Sequence, residues 1–578
     1  MTAIASDPIA RAGHRARPAI VLAVGVACMT LFARLGGLPL LDPDEGRNAS
    51  VAQEMLASGA WVVPTFNGLA YMDKPAFFFR AVAQSFAWFG SNETSARLPS
   101  ALHAAVLLVI VGGFCARVYG RDVAALAILI TATAPLYVVF ARTVIFDMPL
   151  ALYVCGAVFA GFLAAEDTPS ASRWALVSAL AMGIATLVKG PVGLLVPVFV
   201  LVVFFLADGR PGAARAVVSP RRLAVTFAVV LPWFVAACIE RPDFASYGLV
   251  HESLRRFTTD DFRRSQPFWF YGPVMLLALF PWSALAPEAA VLAWQRRARL
   301  TRADRLLLVW VIVVVAFFSV SRSKLPGYVL SAVIAAAILT ARLIDRAIRE
   351  PEGRAHRLVI RALAAVGVAA SIAAAVAAAS WLFGPEGWQR LLGRKNREIV
   401  RLVPLFAPIA VTSGVVAAAA LWARARRSLG TGLLVPIVLP ISALTLSFPA
   451  LSRYAEASTS RAVAAAVARE AGDARVASVR SLPPGLPYYL SRPIALITDD
   501  GHESTSNYQM SLLRDDAPWP DGMIRLAEAT SWLARRHEPT YLIAYWRRRD
   551  ALAELVAPRG LTPHEITPGW WGVLVPAA

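Results

Sequence analysis

Gly190-Pro-Val-Gly-Leu-Leu-Val-Pro-Val-Phe-Val-Leu-Val-Val-Phe-Phe-Leu-Ala207 runs without a charged residue between Lys189 and Asp208. Such a stretch approaches the ~20 apolar residues that cross about 30 Å of hydrocarbon. It has many counterparts. About thirteen candidate spans meet that length criterion, at residues 18–35, 97–117, 122–141, 147–165, 173–188, 190–207, 222–239, 268–290, 304–320, 325–344, 358–383, 402–423 and 432–448. Phe77–Phe89 is apolar but short and carries Arg80 and Gln84, so it reads as interfacial. The whole chain of 578 residues is 57% hydrophobic and 16% charged. Soluble domains carry roughly 45–50% apolar and ~25% charged residues. The contrast excludes a soluble globular enzyme, a disordered protein and a disulfide scaffold, and predicts a polytopic α-helical membrane protein.

A net charge of +19 would point a soluble chain toward nucleic acid. In a membrane chain it reads as basic residues retained in cytoplasmic loops, with no nucleic-acid partner. Placing the N-terminus in the cytoplasm puts Arg117 and Arg121, Arg210 to Arg222, Arg296 to Arg305, Arg342 to Arg361 and Arg424 to Arg427 on that side. The basic loop 384–401 is the exception. The first span follows Arg11, Arg15 and Arg17, a flank that also suits a signal peptide. No small-residue cleavage site follows it, so a first transmembrane helix is expected. Cys28, Cys115, Cys155 and Cys238 lie inside apolar runs at no metal-like spacing and read as small buried hydrophobes.

After Pro449 the composition turns soluble-like. Arg475–Val479, Ile494–Ile497, Tyr541–Tyr545 and Gly572–Val575 read as strands, and Ala462–Glu470 and Ile524–Arg536 as helices. The expected organisation is a membrane domain over 1–449, with a first outer loop at 36–96, and an α/β domain over 450–578 on the outer face. An odd number of spans places that tail outside.

Polar residues outside the basic loops gather on the outer side of this topology. They include Asp42, Asp44, Glu45, Arg47, Glu54, Asp73, Lys74, Arg142, Asp147, Lys189, Glu252, Arg255, Arg256, Arg322, Lys324 and Tyr328. Carboxylates and cations at one membrane face suit an anionic lipid-linked substrate. Each motif also has a plain structural reading. Asp42-Pro43-Asp44-Glu45 makes a good helix start, with Asp42 as N-cap and Glu45 closing a capping box, and the helix would stop at Gly59. Asp44 and Arg47 stand at i,i+3 and could simply pair. Asp147 could cap a helix, and Lys189 and Lys324 could snorkel at helix ends. No phosphate-binding glycine loop, dinucleotide fingerprint or histidine-rich zinc motif occurs.

Several motifs then appear in order over roughly residues 30–345. They are Asp42-Pro-Asp-Glu-Gly-Arg47, Glu54-Met-Leu-Ala-Ser-Gly-Ala-Trp-Val-Val-Pro64, Asn67-Gly-Leu, Asp73-Lys-Pro75, Asp147-Met-Pro149, Lys189-Gly190, Glu252 to Phe257, Pro267-Phe-Trp-Phe-Tyr271 and Lys324-Leu-Pro-Gly-Tyr328. Together they resemble the bacterial lipid A aminoarabinose transferases. Those are relatives of the protein O-mannosyltransferases and share the type C glycosyltransferase fold.

The resemblance implies an undecaprenyl-phosphate-linked sugar donor and transfer on the periplasmic face of the inner membrane. It implies Asp44 as the catalytic carboxylate, with Asp73, Lys74, Asp147, Lys324 and Tyr328 around the donor phosphate. The candidate set is therefore Asp44 and Asp147 as catalytic groups, with Glu45, Arg47, Asp73, Lys74, Lys189, Glu252, Arg256, Lys324 and Tyr328 binding substrate. The family usually has Glu where Asp73 stands, and His where Ser253 stands. Its metal contact involves those positions, which leaves a divalent ion open. The C-terminal part resembles the family in layout only. Lipid A is the expected acceptor. Protein Ser/Thr or another envelope glycan is the alternative within the enzyme class, and a lipid-linked sugar flippase the alternative outside it. The absence of repeats and the gathering of charges at span ends favour an interfacial enzyme.

Overall fold

A computed structural model describes residues 8–166, 169–248, 265–286, 289–290, 295, 300–392, 403–426, 445–513 and 518–577. The chain divides into two compact units. The first comprises Met1–Leu35, Ser100–Val230 and Arg256–Tyr454; the second comprises Gly36–Pro99, Leu231–Arg255 and Ala455–Ala578. The helices that concern the site are α1 (Pro8–Phe32), α2 (Asp44–Ser58), α3 (Phe77–Phe89), α4 (Glu93–Val118), α5 (Arg121–Thr133), α6 (Pro135–Ala141), α7 (Asp147–Leu163), α8 (Ala171–Lys189) and α9 (Val192–Ala207).

The first unit is helical. Among the described residues of the whole chain, seven helices are long and apolar enough to cross a membrane, and eight if the bent pair α5–α6 counts as one span. Pro18–Phe32, Asp147–Leu163, Val192–Ala207 and Phe268–Ala278 are shorter apolar helices. The protein is a multi-pass membrane protein. Most of the expected span 432–448 lies outside the described residues. Two other expected spans are interrupted. The helix pair α5–α6 bends by 69° at Pro135, which has no N–H to continue the ladder. The stretch 268–290 is broken, its α-helix ending at Ala278 ahead of Phe280-Pro281 and a short 3-10 turn over Trp282–Leu285.

Small residues and aromatics hold this unit together. A Cβ on Gly193 would stand 2.3 Å from the Ala185 carbonyl oxygen, and one on Gly161 would stand 2.4 Å from Leu201. At Gly193 the backbones thus approach at a distance only glycine permits, as close helix packing in lipid favours. Phe114 stacks on Phe159 at 4.2 Å, and Phe159 meets Trp310 edge-on at 5.4 Å. The buried indole of Trp282 donates to Thr133 Oγ1 at 2.9 Å. Arg142 spreads its guanidinium over the carbonyls of Thr30, Leu31, Ala33 and Arg34, which satisfies the C-terminal end of α1.

The second unit is mixed. Its segment 36–99 holds α2, α3 and a small hairpin of β1 (Thr65–Phe66) and β2 (Leu69–Ala70). The Asn67-Gly68 turn takes positive φ at both residues, 57° and 78°, as tight hairpins demand. A six-stranded sheet follows, in the order β5 (Met523–Arg525), β4 (Ala495–Thr498), β3 (Arg475–Val479), β6 (Thr540–Tyr545), β8 (Trp570–Val575), β7 (His564–Thr567). The first four are parallel, and β8 and β7 are antiparallel. All four residues of β4 are buried, as expected of a parallel strand covered on both faces.

The expected helix Ile524–Arg536 is corrected here. Gly522 turns the chain at φ 90°, and Met523–Arg525 pairs with β4 as an edge strand. Only Ala529–Ala534 is α-helical. The segment 36–99 also groups with the tail from Ala455 onward, rather than with the membrane helices. The Asn67 side chain donates to the Ile494 carbonyl and accepts from its amide, both at 2.6 Å. Gln509 Nε2 donates to the carbonyls of Phe66 and Leu69.

Candidate functional site

Helix α2 begins at Asp44 and ends at Gly59, whose φ of 69° is the left-handed stop that glycine supplies. Asp42 does not cap it. The N-cap position is Pro43, without a side-chain hydrogen bond. The Asp42 carboxylate instead accepts from the Ser460 hydroxyl, and its amide donates to the Ser458 carbonyl at 3.2 Å. Glu45 keeps half of the expected capping box, since its Oε2 accepts from the Leu41 amide at 3.1 Å. Its main partner is Arg97, a residue that the local pattern did not single out. Arg97 Nε and Nη2 grip both Glu45 oxygens at 2.8 and 2.7 Å, and its remaining donors reach the carbonyls of Leu38 and Pro39.

That clamp fixes the first turn of α2 and leaves Asp44 turned outward. Asp44 Oδ1 meets Arg47 Nη2 at 2.5 Å, with the carboxylate side chain 47% exposed and the guanidinium 11%. Arg47 Nη1 donates to Thr505 Oγ1 at 2.9 Å, and its guanidinium lies 5.9 Å from the Tyr71 ring. Burial draws the Arg47 pKa down, but Tyr71, Asp44 and Asp73 more than offset it and raise the value. Arg47 is thus a fixed cation, held beside a reachable carboxylate.

Glu54 braces the same segment. It accepts from the amides of Asn67 at 2.6 Å and Gly68 at 3.0 Å and from Thr65 Oγ1 at 2.9 Å. Burial raises its pKa against those three donors. The hairpin it holds leads into Asp73-Lys74. Asp73 is buried, and its Oδ1 accepts from the Tyr247 hydroxyl and from the Tyr508 amide at 3.0 Å. The Tyr508 hydroxyl donates to Asp243 at 2.7 Å. Lys74 Nζ donates to the Asp73 carbonyl at 2.5 Å.

Asp73 therefore serves as an anchor between chain segments. Among the described residues no group of three or more His, Cys, Asp or Glu side chains could hold a metal ion. Tyr247 and Tyr508 both bind Asp73 through the same oxygen, Oδ1.

In the first unit, Asp147 opens α7 and Lys189 closes α8. Neither acts as the expected cap or snorkel. They form an ion pair at 2.8 Å with side chains 7% and 12% exposed. Lys189 Nζ also sits 5.1 Å from the Tyr328 ring centre. Gly327 explains the spacing of Lys324-Leu-Pro-Gly-Tyr328, because a Cβ there would lie 2.4 Å from Asp147 Oδ1. Lys324 is buried, and its ammonium donates to the carbonyls of Ser321 and Gln266, the latter at 2.9 Å. Burial lowers its pKa. Two of its three donors are thus anchored on backbone carbonyls. Glu252 and Arg256 lie outside the described residues.

Sequence reasoning missed Arg97, Tyr247, Asp243, Thr505 and Tyr508. The one signal available was Arg97 itself, a cation at the edge of a long apolar run.

Asp42 carries a pH prediction. Burial pushes its pKa up to about 6, against the hydrogen bond from Ser460 and the nearby amides of Gly485 and Ser460. A carboxyl raised in the folded state penalises folding once it ionises. The penalty is absent below the ordinary carboxylate range, grows as pH rises, and is complete above about 6. Asp42→Asn should therefore gain stability over wild type as pH rises from about 4 to 7, by roughly 2–3 kcal/mol. Thermal unfolding of the full chain in detergent at both pH values checks this; a gap that does not change with pH would refute it.

Residues 73–236 match the family model described as dolichyl-phosphate-mannose-protein mannosyltransferase. An undecaprenyl phosphate-alpha-4-amino-4-deoxy-L-arabinose arabinosyl transferase of Aeromonas salmonicida is 31% identical over 326 residues, covering 55% of this chain and 59% of that protein. A transferase of the same name from Pseudomonas fluorescens is 31% identical over 348 residues, covering 59% of this chain and 62% of that protein. The chain thus matches about three fifths of the length of these relatives.

The crystal structure of ArnT from Cupriavidus metallidurans bound to undecaprenyl phosphate superposes with a TM-score of 0.78 at 26% identity, covering 96% of this chain and 97% of that one. The fold is that of the type C glycosyltransferases. The chain is similar both to the aminoarabinose transferases and, over residues 73–236, to the protein mannosyltransferases. Of these, the longest resemblances described above are to the aminoarabinose transferases.

Proposed function

We propose that this chain is an integral-membrane glycosyltransferase that moves aminoarabinose from undecaprenyl phosphate to lipid A on the periplasmic face of the inner membrane. The observation that carries the reading is the likeness over nearly the full length to a solved protein that binds undecaprenyl phosphate.

The chemistry proposed is displacement at the anomeric carbon. The leaving group is a phosphate that is already anionic, so it needs cations more than a strong acid. Charge growing on it in the transition state is stabilised by fixed donors, each typically worth a few kcal/mol. We assign Arg47, held beside Asp44 in the second unit, to that task. Asp44 is the catalytic carboxylate in the second unit, with Arg47 holding its orientation. Toward a hydroxyl acceptor Asp44 acts as general base. Toward a lipid A phosphate the nucleophile is already ionised, and Asp44 orients it and stabilises positive charge at the sugar.

Mass spectrometry of lipid A from cells with and without the gene tests the reading. A gene-dependent mass increment equal to one aminoarabinose is expected. Unmodified lipid A, with the protein present and its donor supplied, would overturn the acceptor and direct attention to protein hydroxyls.

A further inference from the structure

A cavity of about 330 Å³ opens in the second unit, away from Asp44 and Arg47. Its position follows from the sheet. From β3 the chain moves to β4 and then β5 on one side, and afterwards places β6 on the other side of β3. The gap between the carboxyl ends of β3 and β6 is therefore a topological switch point, where open parallel sheets bind their ligands. Ser481 follows β3 and Tyr545 ends β6, and both line the cavity. Trp570 opens β8 directly opposite Tyr545, their ring centres 5.4 Å apart and their planes 58° from parallel. Ser458, Thr459 and Asp42 complete the polar part of the wall.

This lining selects among ligands. It contains no lysine or arginine, so it offers nothing to a phosphate. Two adjacent, partly exposed aromatic rings provide an apolar face. The hydroxyl residues Ser458, Thr459 and Tyr545 stand around it as hydrogen-bonding groups. An apolar wall with a few placed polar groups, at this volume, suits a small ligand. A sugar ring presents that same combination, C–H bonds on its faces and hydroxyl or amino groups at its rim.

We infer that the cavity at the β3–β6 switch point is a saccharide subsite that receives a sugar ring of the acceptor. This rests on the glycosyl-transfer reading above and adds where the acceptor is recognised. Asp42, in the cavity wall, stands two residues before Asp44, so a sugar held there touches the segment that starts α2.

The test uses the full chain in detergent and a soluble glucosamine disaccharide as probe, followed by saturation-transfer NMR. Wild type should show contact with the sugar protons. Trp570→Ala should weaken binding by about fivefold, the size of effect expected when a stacked ring worth ~1 kcal/mol is lost. Trp570→Phe should keep most of it. Ala457→Trp, placed at the exposed rim, fills the cavity without touching the sheet and should also abolish contact. No contact in wild type, or full contact in folded Trp570→Ala and Ala457→Trp, overturns the subsite.

Kinetics separate this from the reaction itself. A raised KM for lipid A in Trp570→Ala, with donor KM unchanged, supports the subsite. Transfer to lipid A with the acceptor KM unmoved in both variants rejects the subsite and leaves the reaction standing. Tryptophan-dependent sugar binding without any transfer to lipid A rejects the reaction and leaves the subsite standing.

Discussion

Asp44→Asn should lower transfer by about 10²–10⁴-fold, the range for removing a positioned carboxylate from a proton transfer or charge-stabilising role. The same change should barely affect folding. Asp44 is about half exposed, and the buried Arg47 keeps its hydrogen bond to Thr505 when the Asp44 charge is removed. The neighbouring clamp of Glu45 on Arg97 does not involve Asp44 and remains to start the helix. Asparagine keeps the shape and one acceptor oxygen toward Arg47, so the guanidinium stays in place. Catalysis and stability are thus predicted to move by very different amounts. Transfer from a purified donor, measured beside thermal unfolding of the same preparation, compares them directly. Wild-type transfer by Asp44→Asn would remove Asp44 from the mechanism. Loss of transfer together with loss of folded protein would assign it a structural task instead.

Much of this second-unit site was legible because its grammar is local. The Asp44–Arg47 pair sits at i,i+3, the stop of α2 is a glycine, and the Asn67-Gly68 turn marks its own hairpin. Lys189-Gly190 likewise announces the end of a helix. The membrane class was readable from composition alone, because lipid demands long apolar helices whatever the function.

The illegible parts depend on partners far away in sequence. Asp42 obeys every local rule for an N-cap, but Ser460 lies beside it in space and takes its carboxylate. Asp73 looked like a surface charge at a turn until Tyr247 and Tyr508 closed over it. The carbonyls of Ser321 and Gln266 that hold the Lys324 ammonium were likewise invisible in the local pattern. Strand β5 was hidden for a related reason. Three residues carry too little periodicity to compete with the longer apolar pattern that follows them, and only pairing with β4 makes them a strand.

The largest stability effect should come from Arg97→Met. Arg97 and Glu45 are 4% and 5% exposed, and the guanidinium serves four acceptors at once. Removing it takes two charged donors from the buried Glu45 carboxylate and deprives the carbonyls of Leu38 and Pro39 of theirs. Breaking a buried pair from one side typically costs 3–5 kcal/mol, mostly through the uncompensated charge. Arg97→Lys should rescue little, since a single ammonium cannot reproduce the planar fork. Adding Glu45→Gln to Arg97→Met removes the stranded charge and should restore part of the stability. Denaturation of the full chain in detergent, across the single variants and the double variant, measures these differences. A loss below about 1 kcal/mol in Arg97→Met would mean the pair is solvated and does not clamp the start of α2. The double variant also tests a link to activity. Asp44 precedes Glu45 by one residue, and the clamp fixes the turn from which Asp44 projects. If the clamp orients Asp44, the double variant should regain stability without regaining transfer. If transfer returns with stability, holding the segment folded is all the clamp does.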